Sequence, residues 1–118
     1  LFRSEEVYFS LYYKINKLIN EGVDRKNIIA DVGIGFGKSP ESCFELLKRM
    51  REFGSLNVPI LSGISRKSFM TKTFGMTPEE ADIPTALYSV MTSNNVNIHR
   101  VHDVKTTVCY LKYAEKLF

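Results

Sequence analysis

Cysteine is scarce. Cys43 and Cys109 are the only two among 118 residues, and neither stands in a CxxC or His/Cys spacing. That excludes a zinc-ribbon site and a disulfide-built scaffold. Both fall in stretches that read as helical, so two buried thiols in a reducing compartment are expected, with a single disulfide between them as the alternative. Long apolar runs are missing too: no stretch of about 18 apolar residues occurs, which excludes the pattern of a membrane-spanning helix. The opening "LFRSEE" has no signal-peptide profile and passes directly into a helical pattern, so the cytoplasm is the expected location. It also lacks an initiating Met, and the natural protein is expected to begin upstream. Nor is charge of one sign in excess. The net charge is +3, with Lys and Arg scattered among Glu and Asp, which describes a solvated mixed surface and not a nucleic-acid face. No low-complexity segment or linker interrupts the chain, so it is one domain or part of one.

Glycine, by contrast, concentrates in "DVGIGFGKS", Asp31 to Ser39. Two phosphate-binding templates each miss it by one residue. A P-loop needs Gly five positions before the Gly37-Lys38-Ser39 triplet, where Val32 stands. A dinucleotide fingerprint read from Gly33 and Gly35 needs a third Gly where Lys38 stands. The loop is therefore neither motif.

Periodicity supplies the frame. "SEEVYFSLYYKINKLINEG" reads as a helix that Ser4 can cap and Gly22 can close, with Glu5 and Glu6 at its positive end. Val7, Leu11, Ile15 and Leu18 recur at helical spacing, and Tyr8, Phe9, Tyr12 and Tyr13 are expected to pack its neighbours. "NIIADVG" (27–33) is a short apolar strand, followed by the glycine loop and a helix from about Glu41 to Phe53. "VPILSGI" (58–64) is a second strand, followed by "SRKSF" and a helix. "TPEEAD" (77–82) has the shape of a capping box ahead of a helix over about Ile83–Ser93. "NIHRVH" (97–102) is a third strand, leading into a terminal helix that Asp103 can cap. Strand then helix, three times after a leading helix, predicts an α/β fold with parallel strands buried on both faces. A three-stranded sheet leaves two open edges, and a closed (β/α)8 barrel needs roughly 250 residues. A complete doubly wound domain has about five strands, so the arithmetic favours a piece of something larger, of either kind.

Ligands in these folds bind at the C-terminal ends of the strands, where the unusual residues cluster. Asp31 ends the first strand. Ser62, Gly63, Ser65, Arg66, Lys67 and Ser68 follow the second, and Arg100, His102 and Asp103 end the third. Alternation puts Arg100 and His102 on one face and His99 on the other. An Arg fork with an imidazole beside it suits a phosphate or pyrophosphate, although His102 alone could equally cap its own loop. Ser65 and Ser68 stand where a helix begins, suited either to plain capping or to a carboxylate or phosphate. Asp31 suits the paired N–H and NH₂ donors of a guanidine-like heterocycle, and Phe36, between Gly35 and Gly37, can lie over a flat ligand.

Together these stretches resemble dihydropteroate synthase. "DVGIGFGKS" is similar to that family's Asp-Pro-Gly-(Ile/Phe)-Gly-Phe-Gly-Lys segment, "SGISRKSF" to its Gly-x-Ser-Arg-Lys-Ser segment, and "RVHDV" to the ending of its last strand. The resemblance implies that this α/β chain is the C-terminal part of a (β/α)8 barrel, usually dimeric, that joins 6-hydroxymethyl-7,8-dihydropterin diphosphate to p-aminobenzoate and releases pyrophosphate with Mg²⁺ assistance. It implies Asp31 and Lys67 on the pterin, and Arg100 and His102 on the diphosphate. Phe36, Ser65 and Arg66 would serve p-aminobenzoate, and sulfonamides would compete there. The Mg²⁺ ligands are expected outside this chain, as are the earlier strands. The chain by itself is therefore expected to be inactive and poorly folded, with an open apolar sheet edge. Two departures stand out: Val32 replaces the family's Pro, and His99 occupies a normally apolar position, where it reads as an outward-facing packing residue. The alternatives are the pterin-binding barrel of a corrinoid-dependent methyltransferase, which has no need of a diphosphate clamp, and a non-catalytic half-barrel module.

Overall fold

A computed structural model describes residues 4–118. Its centre is a parallel sheet of three strands, β1 (Ala30–Asp31), β2 (Ile60–Ser62) and β3 (Ile98–His99), in the order β1-β2-β3. Ala30 pairs with Ile60 and Asp31 with Leu61, while Leu61 also pairs with Ile98 and Ser62 with His99. The strands are shorter than the apolar runs that predict them. Before β1, Asp24 accepts the Lys26 N–H and winds Arg25–Asn27 into a 3-10 turn. After it the glycine loop begins. Ladder hydrogen bonds still extend past the strand ends, from Val32 N–H to Leu61 O at 3.4 Å and from Arg100 N–H to Ser62 O at 3.0 Å.

Among the described residues only one face of the sheet is covered. Ala30, Val32 and Ile60 join a core with Leu46, Met50, Phe53 and Leu56. The other face carries Asp31, Leu61, Ile98 and Arg100, and beside them Ile29 is 54% exposed. The expected burial of both faces is thus corrected for this chain: its helices all pack on one side, and the open side is the one that lines the interior of a closed barrel.

The leading helix is α1 (Ser4–Asn20). Its Ser4 Oγ is buried without a hydrogen-bond partner among the described residues, so no side-chain cap forms there. Its end is a Schellman motif: Gly22, at φ 101°, donates to Ile19 O and Val23 donates to Leu18 O. Ile15 is buried, and Val7, Leu11 and Ile19 pack beside it, whereas Leu18 is 40% exposed. Of the aromatics only Tyr8 packs inward, with its ring 5.9 Å from Phe53 and its hydroxyl 2.7 Å from Ser55 Oγ. Phe9, Tyr12 and Tyr13 are exposed, because a helix presents one stripe to its neighbours and these lie off it.

The segment predicted as one helix over 41–53 divides. Ser39 accepts the Ser42 N–H and, with Pro40 in the first turn, starts α2 (Pro40–Lys48). A 3-10 helix (Met50–Leu56) follows. Its buried residues are Met50, Phe53 and Leu56, a spacing of three that matches the three-residue turn of that helix. Next come α3 (Ser68–Phe74), closed by Gly75 at φ 62°, α4 (Asp82–Met91) and α5 (Val104–Leu117). The Thr77/Glu80 box forms reciprocally at 2.9 and 3.1 Å, yet it closes a turn ahead of α4 and not the helix itself. Asp103 caps α5 through the Thr106 N–H. Both cysteines are free; Cys43 is buried as expected, but Cys109 is exposed on α5. Among the described residues no helix is long and apolar enough to cross a membrane.

Candidate functional site

The glycine loop folds around two lysines. Lys38 Nζ donates to Gly33 O at 2.7 Å and to Phe36 O at 3.3 Å. Lys67, at the start of α3, donates from Nζ to Ile34 O and lies 4.5 Å from the centre of the Phe36 ring. Gly35, at φ 88°, allows this approach: a Cβ there would sit 3.1 Å from Lys67 Cδ. The loop therefore turns carbonyls toward ammonium groups, the opposite polarity to a phosphate cradle of N–H donors. Burial pulls both lysine pKa values down. For Lys67 the Arg100 charge adds to that, while Asp31 works against it. Phe36 stands 66% exposed above the pair.

Asp31 and Arg100 complete the patch. Asp31 Oδ1 accepts the Gly33 N–H at 2.9 Å, and Oδ2 accepts from Arg100 Nη1 at 3.2 Å. The guanidinium reaches across β2 because residue 63 is glycine. A Cβ on Gly63 would lie 2.6 Å from Nη2 and 3.0 Å from Cζ. Asp31, Lys67, Arg100 and Phe36 thus come together from three successive strand ends.

The remaining candidates are engaged around this patch. Ser65 is buried, and its Oγ lies 2.8 Å from His102 Nδ1 and accepts the His102 backbone N–H at 3.1 Å. Arg66, at a left-handed φ of 58°, forms a two-pronged ion pair with Asp82 at 3.1 and 2.9 Å, and that hydrogen bonding raises its pKa. The Ser65 and Arg66 side chains accordingly face His102 and α4, while Ser68 is left exposed. Sequence reasoning assigns no role to Lys38, Gly63 or Asp82, although Gly63 stands in the strand-end cluster. Lys38 enters the sequence argument only as a misfit to a fingerprint, and the signal for Gly63 is a glycine at a strand end, which marks close approach. Asp82 had no signal beyond its place in a capping pattern.

His99 faces the helices, as its alternation predicts. Its ring meets Tyr88 edge-on at 6.1 Å, and Nε2 is buried with no hydrogen-bond partner among the described residues. Burial pulls its pKa below the ordinary value, so the unfolded chain takes up a proton more readily than the folded one. The associated stability is fully present above the unfolded value of about 6.5 and is lost as pH falls through the lower folded value. Urea midpoints should drop with acidification across that window. A His99→Leu variant should lose this part of the slope, and an unchanged slope would rule the assignment out.

The geometry has counterparts. A model of the family described as pterin binding enzyme matches residues 3–102. This chain belongs to that family. Dihydropteroate synthase of Haemophilus influenzae is 32% identical over 109 residues, which is 92% of this chain and 40% of that protein. The solved structure of dihydropteroate synthase from Xanthomonas albilineans in complex with 7,8-dihydropteroate superposes with a TM-score of 0.90 at 30% identity, covering 96% of this chain and 44% of that one. The enzyme from Anaplasma phagocytophilum with bound 6-hydroxymethylpterin-monophosphate superposes at 0.85 and 34% identity, over 100% of this chain and 48% of that one. The chain thus has the architecture of part of a (β/α)8 barrel, and it spans less than half the length of these relatives.

Proposed function

We propose that this chain is the C-terminal part of a dihydropteroate synthase, a transferase of folate biosynthesis. The observation that carries the reading is the meeting of Asp31, Lys67 and Arg100 beside the exposed Phe36 ring. Asp31 accepts hydrogen bonds from the pterin's amino and ring N–H groups, and Lys67 donates to the ring. Arg100 and His102 hold the diphosphate. The Asp31–Arg100 pair is largely exposed, so it contributes little and substrate groups can replace it. p-Aminobenzoate lies along Phe36 with its carboxylate toward the turn Ser65-Arg66-Lys67-Ser68. The exposed Ser68 hydroxyl and the N–H groups opening α3 can receive it there, while the Arg66–Asp82 pair keeps the turn in shape.

The aniline nitrogen attacks the pterin methylene, the C–O bond breaks, pyrophosphate leaves and the nitrogen gives up a proton. The protein's part is to orient the reactants and to stabilise the departing charge, for which Arg100 is the main group. Among the described residues no cluster of three or more His, Cys, Asp or Glu is placed to hold a metal. These residues do not by themselves fit a Mg²⁺ site, and its ligands belong to strands outside this chain. A homodimer is supported by the exposed apolar side chains of Leu87, Met91, Val108, Tyr113 and Leu117 on α4 and α5. Two free thiols suit the cytoplasm.

The test is dihydropteroate formation by the full product of the reading frame, beside a Lys67→Ala variant. Removing this one donor should lower kcat/KM by about hundredfold or more. A folded protein that binds pterin but releases no pyrophosphate would overturn the reading.

A further inference from the structure

Ser65 and His102 stand on neighbouring strand ends, and one hydroxyl serves both contacts between them: it accepts the His102 backbone N–H at 3.1 Å and lies 2.8 Å from ring Nδ1. A hydroxyl has one proton to give and two lone pairs. The backbone N–H takes one lone pair. Were Nδ1 also to donate, the Ser65 proton would be left without an acceptor at a residue only 7% exposed, which is costly. The arrangement that satisfies every group has Oγ–H donating to Nδ1. The proton of the neutral imidazole then resides on Nε2. We propose that Ser65 is a positioning residue: it holds His102 in the Nε2–H tautomer and in one ring orientation, so that the ring presents a directed N–H donor to the diphosphate beside the Arg100 cation. The role rests on the synthase reading above. It differs from a contact with p-aminobenzoate, because Ser65 acts only through His102.

The experiment uses the full product of the reading frame with ¹⁵N-labelled histidine rings, the His102 signals being those missing from a His102→Gln variant. At about pH 8, where an ordinary imidazole is neutral, Nδ1 should resonate as a bare nitrogen and Nε2 as a protonated one. In Ser65→Ala the two signals should move toward each other. The dissociation constant of inorganic pyrophosphate should rise about fivefold to tenfold, with the KM for p-aminobenzoate unchanged. Ser65→Thr, which keeps the hydroxyl, should restore both. A protonated Nδ1 in the wild type overturns the proposal, and so does a Ser65→Ala protein that binds pyrophosphate as the wild type does. If Ser65→Ala does not fold, the wild-type ring spectrum still decides. Wild-type protein with the expected ring signature but no affinity for pyrophosphate would instead overturn the synthase reading beneath it.

Discussion

Gly63→Ala should leave the protein folded and cost it the diphosphate. The added methyl would lie 2.6 Å from Arg100 Nη2, far inside van der Waals contact. What it meets is the end of a flexible side chain, and the backbone at Gly63 is not in the left-handed region. Little strain is therefore stored, because the guanidinium swings away. It then loses its seat across β2 and its bond to Asp31. A charge-assisted hydrogen bond contributes about 1.5–3 kcal/mol, so affinity for pyrophosphate or the pterin diphosphate should fall about ten- to hundredfold. Calorimetric titration measures this, with thermal melting as the control for fold. Arg100→Ala should cost a similar amount, and the double variant little more than either, since both remove one interaction. Wild-type affinity in Gly63→Ala would show that Arg100 does not need that seat.

The largest stability loss is expected at Phe53. Its side chain is fully buried, between the α1 residue Tyr8 and the core formed by Leu46, Met50 and Ile60. Phe53→Ala removes the ring and leaves a cavity that the 3-10 helix cannot close without unwinding. The cost is about 3–5 kcal/mol, a large part of the total for a domain whose stability is about 5–15 kcal/mol. Urea unfolding should show the midpoint falling at a nearly constant slope. A loss of less than about 1 kcal/mol would mean that the segment repacks freely around the gap. Because Phe53 lies on the helix side of the sheet, away from Asp31 and Arg100, ligand affinity at temperatures where the variant is folded should be unaffected.

These two positions differ in how visible they are in the chain. Phe53 falls at the end of the stretch that reads as a helix over about 41–53, but neither its burial nor its helix type is legible there. Three-residue spacing at Met50, Phe53 and Leu56 resembles one side of an α-helix until packing selects the tighter turn. Gly63 was visible as a residue and silent as to purpose, since nothing local says that a guanidinium from a strand 37 residues later crosses over it. The same holds for Arg66, which reads as a ligand from its neighbours and is committed to Asp82, at the start of α4, by tertiary contact.

By itself the sequence determined the alternation of strands and helices, the parallel order, the end of the sheet at which polar residues gather, and the family. The elements follow from local propensity, capping and period, which act over a few residues and survive without partners, whereas the family follows from the resemblance of three motif segments. The tertiary structure alone decided which groups meet: Arg100 with Asp31, Ser65 with His102, Lys67 with the carbonyl of Ile34. It also decided which sheet face stays open, and that Phe9, Tyr12, Tyr13 and Cys109 lie outside the core. The physical reason is that hydrogen bonds and burial depend on distances between residues far apart in the chain, and those distances are set by how the strands register and the helices pack.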